Sequence, residues 1–380
     1  FAVCVVALEA SGGMTNLLTK LEALDRPELL SLFPWTFNKN GFNWLDSSGI
    51  SITTFFAFIS LQWWSFRRSD GGGEFIQRLL ATKDEKQATL AGIVFLIVNY
   101  LVRSWLWILV GLAGLVLLPQ QTDWELSYPN LAVTYLPPVG LGLVVVSLVA
   151  AFMSTVSTSI NWGASYLAHD LYKRFVRPFA GPREMIFMGQ LASILLLLIG
   201  VLTALFSNSI GSMFRLVIAI GTGPGAVLVL RWFWWRVNAL AELSAMLSGF
   251  FIGLITSVSP YFIIEDFGKR LLFTTSFSAL IWLLTLFFTK PESEETLNEF
   301  VKQVNPPGPG WEKIRKTLNI DPVDSFSMLG SRFLLGSGIL YGGLISIGAF
   351  LLHQERSAWI ALSIAVSCVF LMKKTRLITQ

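Results

Sequence analysis

Apolar runs of bilayer-crossing length recur from one end of the chain to the other, and this feature limits the fold more than any other. A hydrocarbon layer of ~30 Å takes ~20 helical residues, and backbone groups left unpartnered in lipid allow only helices or closed barrels to span it. Ten segments qualify or come near: 1–12, 50–66, 88–118, 139–172, 185–206, 209–230, 239–259, 271–289, 333–352 and 357–372. With 53% hydrophobic and 14% charged residues over 380 positions, the chain reads as an all-α, polytopic membrane protein. Segment 1–12 is too short to span and begins at Phe1 without an initiator Met, so it is expected to be the end of a longer helix that starts upstream.

Loop charge orients the segments. Loops 67–86, 173–183, 231–236, 290–332 and 373–376 are basic, whereas 119–138, 207–209 and 353–356 carry almost no Lys or Arg. The positive-inside rule then makes the basic loops and the C-terminus cytoplasmic, in a multi-pass protein of the cell membrane. Only Lys269 and Arg270 break the alternation, with Glu265 and Asp266 beside them. The net charge of +4 is spread over these short loops, which is a topology signal and not a nucleic-acid footprint. The partners implied are a lipid bilayer and a small-molecule solute; the oligomeric state is not legible.

Polar residues inside the apolar runs mark the candidate sites. On the helix expected over 139–172, Ala151, Ser154 and Thr155 stand at i, i+3 and i+4, and Ser157 and Thr158 extend the stripe. Carbonyl and hydroxyl oxygens at membrane depth suit a small hard cation in a protein-lined cavity; they equally suit bonds to their own i−4 carbonyls or to neighbouring helices. Segment 50–66 holds Ser60 and Gln62 and ends on Trp63 and Trp64, which fits either a broken helix at a binding site or an interfacial Trp belt. Arg103 interrupts a 31-residue run, where a charge must face a cavity or carbonyls or else snorkel to an interface. The run GTGPG at 221–225 is expected to interrupt its helix, because Pro224 has no N–H to donate. Gly71 and Gly72 begin a glycine triplet with no following P-loop lysine, read as a flexible turn. Cys4 and Cys368 stand alone in apolar surroundings and read as packing residues.

Four stretches together resemble the sodium/solute symporter family, which includes sodium-coupled sugar, proline and iodide carriers. They are AAFMSTVSTSINWGASYLAHDLY from Ala150, QRLLATKDEKQA from Gln77, LRWFWWRVNALAELSAM from Leu230 and TKPESEETLNEFVKQVNPPGPGW from Thr289, in the family's order. The resemblance implies a LeuT-type fold of two inverted five-helix repeats, here lacking its first core helices. It implies a partial transporter core over 1–259, an additional membrane helix at 260–289, a cytoplasmic loop at 290–332 and C-terminal membrane helices at 333–380. The cofactor implied is a sodium ion held by Ala151, Ser154 and Thr155, with Ser157 and Thr158 serving a second ion in some members. Three ligands are too few, so the remainder is expected from an unwound helix upstream of Phe1. Ser60, Trp63 and Trp64 match the gate and stacking positions of the sugar carriers, and Asn99 or Tyr100 falls where those carriers place a lysine. Arg103 and Arg215 have no equivalent in that pattern; as charges in apolar spans they point either to a solute with a negative or strongly hydrogen-bonding group or to pairing with Glu or Asp from helices upstream of Phe1.

Sodium-coupled symport of a small organic solute is therefore the leading expectation. A transporter-like membrane sensor and an integral membrane transferase are the alternatives. The sequence has no HxxxD or DxD motif and no clustered His at a membrane face, and its acids concentrate in loops, so no catalytic residue is assigned.

Overall fold

The computed structural model describes residues 1–38, 41–65, 73–207, 209–322 and 325–374. The expected turn at Gly71 and Gly72 and the basic tail at 375–380 lie outside them. In chain order the helices are α1 (Ala2–Ser11), α2 (Gly13–Glu22), α3 (Ile52–Ser65), α4 (Gly73–Leu80), α5 (Glu85–Leu96), α6 (Arg103–Leu117), α7 (Ser127–Tyr135), α8 (Pro138–Ser165), α9 (Pro182–Leu205), α10 (Ile210–Leu230), α11 (Ala239–Val258), α12 (Phe267–Phe288), α13 (Glu294–Val304), α14 (Glu312–Leu318), α15 (Phe326–Leu351) and α16 (Glu355–Lys374). A hairpin of β1 (Trp35–Asn38) and β2 (Gly41–Trp44) precedes α3, with Trp35 opposite Trp44.

All ten expected segments are helical. Among the described residues eight helices are long and apolar enough to cross a membrane. The other two are α3, of 14 residues, and α1, which is bent by 67° against α2 at Gly12, whose φ of 88° closes the helix in the left-handed region. The stretch after Gly12 forms α2 because Leu17, Leu18 and Leu21 make a buried stripe. Segment 88–118 is longer than a bilayer, as its length implied: α5 and α6 run on as one 33-residue helix of about 50 Å, joined by a π-helical turn at Ile97–Val102.

GTGPG does not break its helix. α10 runs through Pro224 to Leu230, and the glycines serve close contacts instead. A methyl on Gly221 would meet the backbone oxygen of Ser65, one on Gly223 the Cα of Gly249, and one on Gly225 the backbone of Trp64. In lipid no hydrophobic force drives helices together, so small residues that let backbones approach carry the association.

The chain divides into two compact units. In the first (Phe1–Gly13 and Ala113–Met213) α1 lies on α7, burying Val3, Ala7, Leu131 and Ala132. α8 lies along α9, with Gly163 admitting Leu196, and extends through a π-helical stretch, Tyr166–Val176, whose Tyr172 hydroxyl donates to Glu184 at 2.6 Å.

In the second unit (Met14–Leu112 and Phe214–Gln380) α3, α10 and α12 share a core of Ala57, Leu61, Ile218, Ala219, Phe267 and Leu271. Next to it Val227, Val237, Ala241, Ala245, Trp282 and Leu286 join α10, α11 and α12, and Ser248 hydrogen-bonds Ser278 at 2.8 Å between α11 and α12. Loop 290–332 is no featureless linker. α13 and α14 close over Leu297, Val301 and Trp311 and clamp loop 231–236, since Trp311 Nε1 donates to the Arg231 carbonyl and the Gly310 N–H to that of Phe233, both at 3.0 Å. α15 and α16 form an antiparallel hairpin in which Gly342 meets the Ala361 carbonyl and Ala365. Trp105 of α6 sits in the notch of Gly348 on α15 and donates to the Leu344 carbonyl at 2.8 Å.

Candidate cation and solute sites

α8 begins on Pro138, whose fixed φ and missing N–H suit the first helical position, and runs 28 residues without a break. It carries Ala151, Ser154, Thr155, Ser157 and Thr158 in exposed positions, and its most apolar stretch is wholly uncovered among the described residues. Thr155 Oγ1 donates to the Ala151 carbonyl at 2.9 Å and Thr158 Oγ1 to the Ser154 carbonyl at 2.8 Å. These are the i−4 bonds that a hydroxyl makes to its own helix. They leave the acceptor lone pairs of Thr155 and Thr158 facing outward, since a hydroxyl has one proton and two lone pairs. The Ala151 carbonyl already takes the helix N–H and the Thr155 proton, so the Thr155 hydroxyl must rotate before that carbonyl can ligate a cation. Among the described residues no group of three His, Cys, Asp or Glu could hold a metal, and the oxygens that α8 offers are neutral.

The residues expected to contact solute lie on three helical stretches of the second unit. On α3, Ser60 is exposed and donates to the Phe56 carbonyl at 2.6 Å, and Trp64 packs against the Ala57–Leu61–Ile218 core over Gly225. The side chain of Trp63 lies outside the described residues. Asn99 and Tyr100 occupy the π-helical turn, where the Asn99 carbonyl accepts from Ser104 Oγ at 3.3 Å and the Tyr100 ring meets Phe95 edge-on at 6.2 Å. Such bulges recur at functional sites because the wider turn redirects side chains. Asn99 also lines an open groove of about 540 Å³ with Leu90, Val94, Phe95 and Val98. Arg103, the first residue after the turn, is exposed, as is Arg215 near the start of α10.

Three polar features were not singled out from sequence. Glu125 caps the first turn of α10, accepting from Ser209 Oγ (2.7 Å), Ile210 N–H (2.9 Å) and Gly211 N–H (3.0 Å). The Gly211 N–H, then the Ser209 hydroxyl and the Ile210 N–H, hold its carboxyl below the ordinary range. Asp266 caps α12 through the Lys269 N–H (2.8 Å) and takes the hydroxyls of Ser51 (2.6 Å) and Thr54 (3.3 Å), fixing α3 to α12. Burial alone would raise its pKa; the bonds from Ser51, Lys269 and Thr54 outweigh that and lower it. Arg270 donates Nε and Nη2 to the Ile264 carbonyl (2.9 and 2.6 Å) and Nη1 to Ser257 (3.3 Å). Its one sequence signal is the charge irregularity at 265–270.

Long apolar helices joined through glycine and serine contacts, one of them bearing a hydroxyl stripe, define a multi-pass membrane protein. The chain belongs to the sodium:solute symporter family, whose model matches residues 2–249. It is similar to the sodium/glucose cotransporter of Vibrio parahaemolyticus, 25% identical over 258 residues that cover 62% of this chain and 46% of that protein. It is also similar to the osmoregulated proline transporter OpuE of Bacillus subtilis, 27% identical over 283 residues, or 70% of this chain and 52% of that protein. The human sodium/myo-inositol cotransporter 2 is 26% identical over 196 residues, covering 46% and 29%. The chain thus spans about half the length of the first two relatives.

Proposed function

We propose that the complete protein is a symporter that takes up a small organic solute with sodium ions. The observation that carries this reading is the uncovered oxygen stripe on α8, inside the stretch matched by the family model. A row of hydroxyls on a bilayer-depth helix is poor company for lipid and needs a polar partner. In this reading Ala151, Ser154 and Thr155 are part of one sodium site and Ser157 and Thr158 serve a second ion; carbonyls from another helix complete the shell. The match is to carriers whose names state sodium with glucose, proline or myo-inositol. The fold proposed is the LeuT type, with 1–259 as core and 333–380 as an accessory hairpin. Ser60, Trp63, Trp64, Asn99, Tyr100, Arg103 and Arg215 contribute to the solute path.

The test is uptake of labelled proline, glucose and myo-inositol into vesicles holding the complete protein. Accumulation of at least one of them is expected under an inward sodium gradient and not under a choline gradient. Equal accumulation under both gradients would end the sodium-coupled reading.

In this reading the protein lies in the cell membrane, and its basic loops 67–86, 173–183, 231–236 and 290–332 and the C-terminus are cytoplasmic by the positive-inside rule. In a cysteine-free background, Gln120→Cys, on an exposed stretch, should react with an impermeant maleimide added outside intact cells, and the equally exposed Arg177→Cys should react only after permeabilisation. The opposite pattern would invert the topology.

A further inference from the structure

The outer halves of α11 and α12 enclose an apolar groove of about 490 Å³ between Ile252, Ile255, Phe262, Ile263, Phe273 and Phe277. Phe273 and Phe277 follow Arg270 at i+3 and i+7, so the guanidinium stands on the same face of α12 at the groove's head. The carbonyl it binds belongs to Ile264, which lines the groove, and the Ile264 N–H is held by Thr256, another lining residue. Three N–H groups of Arg270 are used and a guanidinium has five, so hydrogens on Nη1 and Nη2 remain.

The charge at this head has no counter-ion among the described residues. No carboxylate lies within ion-pair distance of Arg270 among the described residues, and the nearby Asp266 is committed to Ser51, Thr54 and the Lys269 N–H. Arg270 stands beside Leu271, which packs with Phe267 in the core shared with α3 and α10. A guanidinium at the end of a membrane span is costly unless it has a polar or anionic partner. An alkyl-sized groove that opens on apolar surface, with a cationic head lacking a counter-ion, matches a phosphate diester joined to an acyl chain.

We infer that the groove between α11 and α12 binds one phospholipid, its phosphate on Arg270 and an acyl chain along Phe273 and Phe277. The site is separate from the α8 stripe and does not depend on the transport reading.

The test is native mass spectrometry of the complete protein in mild detergent, titrated with phosphatidylglycerol, with diacylglycerol of the same chains, and with inorganic phosphate. The parent should retain one phosphatidylglycerol under activation that strips the rest, and neither diacylglycerol nor phosphate alone. Arg270→Gln should lower the retained fraction about tenfold, with Arg270→Lys partly restoring it. Ile255→Trp, which fills the groove and leaves the guanidinium in place, should also lose the adduct. Undiminished retention by Arg270→Gln or by Ile255→Trp, or equal retention of diacylglycerol, would overturn the proposal; binding of phosphate alone would show an anion site without a lipid.

Discussion

Gly221→Ala in the complete protein is expected to lower the melting transition of the detergent-solubilised protein sharply, with a loss of roughly 3 kcal/mol or more. The methyl added at position 221 would collide with the Ser65 oxygen, which is backbone and cannot rotate aside. α3 and α10 would have to separate, and with them the Trp64 contact over Gly225 and the core formed by Ala57, Leu61, Ile218 and Ala219. Packing at protein interiors has no slack of that size. Gly111→Ala and Gly189→Ala are the controls, since nothing stands within 4 Å of either added methyl. They should melt with the parent. If Gly221→Ala melts with them, the α3–α10 contact is not as close as described.

The membrane helices were legible because hydropathy is a local property: all ten apolar runs are helices, and the positions of their ends follow from caps. Asp266 accepting from the Lys269 N–H starts α12 before the two basic residues at which hydropathy had placed the boundary, and Ser325 does the same for α15 ahead of Arg332. Gly12 was readable as a stop, but not the bend that follows it.

What periodicity could not show was which helix stands opposite which. GTGPG reads as a break when only its own backbone is considered, because Pro224 withholds a donor. In the structure the Ile220 carbonyl that loses that donor faces Gly249, and the flanking glycines are the surfaces on which α3 and α11 rest. Trp64 has the composition of a stacking residue, and only the distant α10 reveals that it packs in a core. The role of Arg270 depends on a turn of the chain that brings the Ile264 carbonyl back onto α12, which no helical spacing encodes. The hydroxyl stripe on α8 was visible as spacing alone. Both of its readings persist in the geometry, since the i−4 bonds of Thr155 and Thr158 leave lone pairs turned outward.

The second large effect concerns that stripe. Removing the hydroxyls of Ser154 and Thr155 takes two oxygens from the proposed sodium shell while changing little else, because both positions are exposed on α8 and alanine is the better helix former. At roughly 1 kcal/mol for each lost polar contact, the double variant should need about thirtyfold more sodium for half-maximal uptake. Ser147→Ala removes a hydroxyl from the same helix that bonds the Val144 carbonyl and lies outside the stripe, so it should leave the sodium requirement unchanged.

The decisive measurement is the sodium dependence of solute uptake by the complete protein and by Ser154→Ala/Thr155→Ala at equal surface expression. The account predicts a strongly raised half-saturating sodium concentration, with uptake recovering at high sodium. A double variant whose sodium dependence overlays that of the parent would show that the α8 hydroxyls serve the helix alone.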